Sequence, residues 1–231
     1  MPQRILYIGP LSLFSRKAEI ALREKGLDYE AVSVPFSQSE GYAPKHPAVL
    51  AANPKAQVPV LVEGDLTLFD STVILEYLED AYPEPALYPR DAKAKALCRL
   101  AELEGDEILF APVRHLLFRT EPPASGPMGA DAARQAAREA EGRRAEAEID
   151  RQFAGLDARL DGIDYFCGAE FSAADIALFM TVLWTQRLKG PGVARHPRLA
   201  AWYARLLDRP SCAYVAGEIA AADRLLSPDL G

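Results

Sequence analysis

Residues 58–78 read VPVLVEGDLTLFDSTVILEYL, and three local signals in this stretch decide the fold class. Two short apolar runs flank Gly64-Asp65, a turn pair that joins antiparallel strands into a hairpin. Asp70-Ser71 then opens STVILEYLEDAY, in which Val73, Ile74, Tyr77 and Leu78 share one helical face, and Pro83 ends the helix. Upstream, RILYI (4–8) reads as a buried strand that stops at Gly9-Pro10. From Phe14 the apolar residues Phe14, Ala18, Ala21 and Leu22 recur at helical spacing up to Gly26, a left-handed cap. YEAVSV (29–34) follows and stops at Pro35, so the first three elements make a parallel strand, helix, strand unit with a right-handed crossover. Between this unit and the hairpin, Pro44, Pro47 and Pro54 mark an irregular region.

PEPALYPR (83–90) interrupts all periodicity, and no strand-like run reappears beyond it. The expected organisation is an α/β domain over 1–83, a linker over 84–90 and an all-α domain over 91–231. In the second domain, helices are expected over about 91–119, with a kink at Pro112, over about 131–161, from Ser172, and near 198–208 and 211–222. Ile149, Phe153, Leu156 and Leu160 form a buried stripe, whereas AARQAAREAEGRRAEAE (132–148) is a solvated face. EPPASGPMGA (121–130) reads as a mobile connection. In FSAAD (171–175), Ser172 and Asp175 have the spacing of a capping box and Phe171 that of its hydrophobic staple.

The 231 residues are 49% hydrophobic and 26% charged, the composition of a soluble globular protein. A net charge of -7 with no basic run argues against nucleic acid and anionic membranes as partners. Cys98, Cys167 and Cys212 are odd in number and far apart, which suggests no disulfide framework and no metal cluster, and fits a reducing cytoplasm. MPQRILYIGPLS lacks the pattern of a secretory leader, and no segment is apolar for long enough to span a bilayer.

Several residues stand where chemistry is possible. Ser12 and Ser15 begin the first helix and Asp70 and Ser71 the hairpin helix; each pair can cap its helix, and a helix N-terminus also attracts anions. Pro59 lacks an N–H for the strand it heads, which by itself suggests a strand-edge proline.

NPKAQVPVL (53–61), LFDSTVILEYL (68–78), FSAADIAL (171–178) and HPRLAAWYARLLDRPS (196–211) together resemble motifs of the cytosolic glutathione transferase superfamily. They fall in the family's order over nearly the whole chain, and the match is to its serine-type members, the theta, tau and zeta classes. Ala56 stands where the family usually has Gly, a departure that bears on the turn before Pro59.

The resemblance implies a thioredoxin-like N-terminal domain followed by an all-helical domain. It implies a cis Val58-Pro59 bond that presents the Val58 backbone to glutathione, the co-substrate, with Asp70 and Ser71 at its γ-glutamyl end. Lys45, ahead of His46, would meet the glycyl carboxylate. Ser12 would donate to the thiolate, the nucleophile in this chemistry; Tyr7, as in tyrosine-type members, is the rival. On this reading Ser12 caps nothing essential and Ser15 belongs to the helix start. Arg114, His115 and Phe118 would line an electrophile pocket, and Trp202 and Tyr203 would serve packing.

The implied activity is conjugation of glutathione to an apolar electrophile, a detoxification chemistry, in a cytoplasmic homodimer without metal. A non-catalytic interaction protein of the same fold is the alternative. A zeta-type maleylacetoacetate isomerase ranks lower, because SLFS (12–15) replaces the Ser-Ser-Cys run of that class. With serines at both cysteine places of a Cys-x-x-Cys motif, disulfide exchange through an enzyme thiol is not expected at this turn.

Overall fold

The computed structural model describes residues 3–120 and 128–227, with side chains of 128–132 outside the description. Its first half is a four-stranded sheet in the order β2-β1-β3-β4, where β1 is Arg4–Ile8, β2 Glu30–Ser33, β3 Val60–Glu63 and β4 Leu66–Phe69. β1 runs parallel to β2 and antiparallel to β3, and β3 pairs antiparallel with β4. The register sets Leu6 opposite Leu61 and Tyr7 opposite Val60. Strand alternation then sends Leu6, Ile8 and Leu61 into the main core and turns Tyr7, Val60 and Val62 to the other face.

Helices α1 (Leu13–Glu24) and α3 (Ser71–Ala81) cover the first face. Against the second face lies α2 (Pro47–Ala52), whose Val49 packs with Val34 and Val60. The irregular reading of this region is therefore corrected: Pro47 is not a breaker here but a helix-starting residue, placed where its missing N–H costs nothing. His46 caps α2, its Nδ1 accepting from the Ala48 N–H at 3.2 Å. On α3 the buried face comprises Ser71, Ile74, Leu75 and Leu78, whereas Val73 is exposed; the apolar stripe is rotated from the expected one.

The helical half starts with α4 (Ala92–Leu103). The single kinked helix expected over 91–119 is instead four pieces: α4, a π-helical turn (Glu104–Leu109), the short α5 (Phe110–Val113) and a 3₁₀ turn (Arg114–Thr120). Pro112 cannot donate to the carbonyl four residues back, and just before it the spiral widens. The widened turn is held from outside, because the Thr181 hydroxyl donates to the Gly105 carbonyl at 3.0 Å. A Cβ at Gly105 would lie 3.0 Å from the backbone of Ala177 and Leu178, so glycine permits this close approach.

Long α6 (Met128–Arg159) follows; the expected connection over 121–127 lies outside the described residues, and 128–130 are already helical. Then come α7 (Ala173–Arg187), α8 (Pro197–Leu207) and α9 (Pro210–Leu226). Apolar α7 runs through the centre, with twelve of its residues buried. The Asp175 carboxylate closes the expected capping box by accepting the Ser172 N–H at 3.0 Å, and also accepts the Phe166 N–H at 3.0 Å and the Trp202 indole N–H at 2.9 Å. Among the described residues no helix is long and apolar enough to cross a membrane.

Ala56 adopts φ = 52°, the left-handed region that glycine enters without penalty. Ala56→Gly should stabilise the protein by about 0.5–1 kcal/mol, the left-handed cost being partly offset by glycine's chain entropy, as urea denaturation would measure.

Candidate functional site

At the C-terminal end of β1 the chain turns through Gly9-Pro10-Leu11 into α1, and Ser12 sits at the junction. Its Oγ accepts the Ser15 N–H at 3.2 Å, so Ser12 is the N-cap of α1, contrary to the expectation that it caps nothing essential. Accepting that bond leaves its own hydrogen free to donate. Ser15 is fully buried and its Oγ accepts the Gly9 N–H at 3.2 Å, which ties the turn together.

Ser12, Lys45, His46 and Val58 line one cleft of about 200 Å³, together with Phe14, Tyr42 and Gln57. Asp70, Ser71, Val58 and Pro59 line a second, of about 220 Å³, with Phe14, Gln57, Asp106 and Glu107. The two clefts meet at Phe14, Gln57 and Val58. The Val58-Pro59 bond is cis, as the motif implied. Asn53 organises the preceding turn, its side chain donating to the Gln57 carbonyl at 2.7 Å and accepting the Lys55 N–H at 2.9 Å.

Asp70 has φ = 76°, an unusual conformation for a non-glycine residue and one of the kind that gathers at functional sites. Its Oδ1 caps α3 by accepting the Thr72 N–H at 3.0 Å and the Val73 N–H at 3.4 Å, and among the described residues none donates to Oδ2. Ser71 begins the helix and is buried at its N-terminus. Lys45 and His46 line the first cleft, and the second carries three carboxylates, Asp70, Asp106 and Glu107, together with the cation Lys55.

Asp106 also belongs to a buried network. The Lys17 ammonium, on α1, pairs with Asp106 and with Glu102 at 3.1 Å, and Glu102 accepts the Thr72 hydroxyl at 3.0 Å and the Tyr88 hydroxyl at 2.8 Å. Burial pushes the Asp106 carboxyl above its ordinary range, opposed by Lys17.

Tyr7 lines neither cleft; its ring packs on His46, with centroids 4.9 Å apart. Sequence reasoning passed over Tyr42, which lines the same cleft as Ser12. A Cβ at position 9 would fall 2.2 Å from the Tyr42 hydroxyl, so only glycine allows this contact. Burial pushes the Tyr42 phenol up, keeping it protonated.

Arg114, His115 and Phe118 are not brought to either cleft. His115 is exposed and its Nδ1 pairs with Glu141 on α6 at 3.0 Å, while Phe118 abuts Gly142. Arg114 alone approaches the apolar side, its guanidinium 6.0 Å from the Phe110 ring centre. Phe110 meets Phe14 edge-on at 5.4 Å and Trp184 at 6.5 Å, so an aromatic shelf runs from the clefts into the helical half. Phe14 was legible only as a core residue, because nothing in a helical repeat marks which apolar position sits at a rim. Among the described residues no group of three or more His, Cys, Asp or Glu could hold a metal ion.

Comparison with known proteins bears on the family and the fold. Residues 6–86 match the glutathione S-transferase N-terminal domain and residues 114–210 its C-terminal domain. Glutathione S-transferase 3 of Zea mays is 34% identical over 215 residues, 89% of this chain and 90% of that protein. A stringent starvation protein A homolog of Coxiella burnetii is 39% identical over 97 residues, 41% of this chain and 43% of that protein. The structure of the theta class glutathione S-transferase of Xanthomonas axonopodis pv. citri, with glutathione bound, superposes with a TM-score of 0.75 at 27% identity, covering 94% of this chain and 98% of that one. The chain therefore belongs to the cytosolic glutathione S-transferase superfamily.

Proposed function

We propose that the protein conjugates the thiolate of glutathione to an apolar electrophile, with the Ser12 hydroxyl holding the sulfur. The observation that carries this reading is the joined pair of clefts, Ser12 and Lys45 lining one and Asp70 at the N-terminus of α3 lining the other. Glutathione is a tripeptide with an ammonium and a carboxylate at its γ-glutamyl end and a lone carboxylate at its glycyl end. Asp70, with the N-terminus of α3 beside it, suits the first, and Lys45 suits the second; His46 is engaged in capping α2. The Val58 backbone, between the two ends, suits the central cysteinyl unit, whose sulfur then comes to Ser12. Residues 1–83 would hold glutathione, and the helical half beyond 91 would supply the electrophile side, over Phe14 and Phe110.

Isothermal titration with glutathione, followed by turnover of an activated aryl halide, tests the proposal. Saturable binding with turnover is the expected result. Binding heat without turnover, or no heat at all, would favour an interaction protein.

A cytoplasmic homodimer goes with this reading. Leu97, Leu100 and Leu103 recur every three residues on α4 and are 57%, 60% and 49% exposed, and Ile108 continues the patch. So apolar a stripe on one helix face suits an interface between copies. Leu100→Glu should convert a dimer to a monomer, read as a halved mass in light scattering.

A further inference from the structure

We infer that Ser227, at the C-terminal end of α9, is a positioning residue for the cleft of Ser12: it clasps the loop between β2 and α2, which carries Tyr42, Lys45 and His46 into that cleft. The inference rests on the glutathione reading above for its ligand, though not for its geometry.

Residues 34–46 leave the sheet at Val34, whose N–H donates to the Ile8 carbonyl at 2.8 Å, and regain regular structure at α2. In between, the chain closes on itself. Ser37 and Gly41 exchange backbone hydrogen bonds at 2.9 and 2.8 Å, and the Ser37 Oγ accepts the Glu40 N–H at 3.1 Å. Gly41 has φ = 62°, the left-handed conformation that lets the chain reverse. Directly after the reversal come Tyr42, Pro44, Lys45 and His46, all of which line the cleft. A turn closed by its own hydrogen bonds keeps its shape but not its place, so its position depends on what holds it from outside.

That hold comes from the helical half. Gln38, in the turn, donates through Nε2 to the Ser227 Oγ. Ser227 is buried and fixed in its own right: its N–H donates to the Asp223 carbonyl at 2.8 Å, and Arg187 Nη2 donates to its Oγ at 3.2 Å. Arg187, on α7, is locked in turn. Its Nε and Nη2 donate to the Asp223 carboxylate at distances between 2.6 and 2.8 Å, its guanidinium lies 4.5 Å from the Trp184 ring centre, and its side chain is 5% exposed. Charge-assisted bonds of this kind are strong and directional, so Ser227 offers the loop a rigid acceptor.

On the cleft side, Phe36 packs on Tyr42 with ring centres 4.8 Å apart, and the Tyr42 hydroxyl rests against Gly9. A displaced turn therefore pulls Tyr42 from the β1–α1 junction and carries Lys45 with it. Lys45 is exposed, so its reach to a glycyl carboxylate is set by where the loop stands. Ser12 belongs to α1 and stays behind. The clasp accordingly acts on binding rather than on chemistry: a loop already held in place does not have to be ordered when glutathione arrives.

The test is a double-mutant cycle on Ser227→Ala and Gln38→Ala, read by titration calorimetry, steady-state kinetics and hydrogen exchange. Gln38 is only half-buried, so its truncation tests the clasp even where Ser227→Ala unsettles α9. Each change should raise Kd and KM for glutathione about fivefold, the scale of one neutral hydrogen bond, with kcat within about twofold of the unaltered protein. The double variant should match either single change rather than multiply their effects, because both cut one link. Without glutathione, amide exchange over 36–46 should quicken about fivefold in Gln38→Ala. Unchanged exchange, multiplicative effects, or a fall in kcat at constant KM would each overturn the inference. An unaltered protein that binds no glutathione would overturn the function proposed above and the positioning role with it, while the exchange comparison would still decide whether the clasp exists.

Discussion

Ser12→Ala is expected to lower turnover with glutathione at neutral pH by about a hundredfold, the scale on which a single donor to a developing or resident anion acts. Bound thiol should return toward the ordinary range near 8.5, followed by its ultraviolet absorbance against pH. Because the Ser12 Oγ also caps α1, the same change should cost about 1 kcal/mol of stability, and the two effects must be separated. Ser12→Asp does so: aspartate keeps a strong cap acceptor but sets a negative charge against the thiolate. If Ser12 only caps, Asp restores activity; if it holds the sulfur, Asp is at least as damaging as Ala. Tyr7→Phe should leave both readings nearly unchanged, since Tyr7 lines neither cleft and packs behind His46. A protein that loses activity with Tyr7→Phe and keeps it with Ser12→Ala would reverse the assignment.

The largest stability effect belongs to Asp175. One carboxylate, fully buried, gathers the Ser172 N–H and hydroxyl, the Phe166 N–H and the Trp202 indole N–H. Asp175→Ala strands these donors together, and unmade buried hydrogen bonds are costly where no water replaces the acceptor. The expected loss is about 3–5 kcal/mol, seen as a lower urea midpoint with unchanged slope. Asp175→Asn, which keeps the volume and one acceptor oxygen, should cost less; no loss with Asn would mean that the carboxylate matters only as filled volume, and a loss equal to that of Ala that both acceptor oxygens are needed.

The elements on either side of residues 58–78 were readable because local signals and global packing agree there: turn pair, strand alternation and cap all point the same way. Where they disagreed, local reading failed. Pro47 looked like a breaker because the sequence does not say that His46 caps the helix it begins. Val73 and Leu75 are equivalent to a helical repeat, and only the position of α1 decides which is buried. Arg16, Lys17 and Glu19 carry no local sign of burial, yet all three are buried on α1, where pairing compensates their charge. At the candidate site the motifs pointed to Ser12, Val58, Asp70 and Ser71, which do line the joined clefts. Tyr42 and the cleft position of Phe14 escaped notice, because each depends on chain segments that no spacing rule connects.

The Lys17 ammonium finds both its carboxylates, Glu102 and Asp106, beyond residues 84–90. Burial alone would strip its proton; Asp106 and Glu102 reverse that. During synthesis the first half of the chain therefore emerges with this ammonium in water, on the very helix that bears Ser12, and its carboxylates arrive only with α4 and the widened turn. Burying that face of α1 then couples the two halves of the chain. Scanning calorimetry of the whole chain should accordingly give one cooperative transition, and residues 1–90 expressed alone should give none.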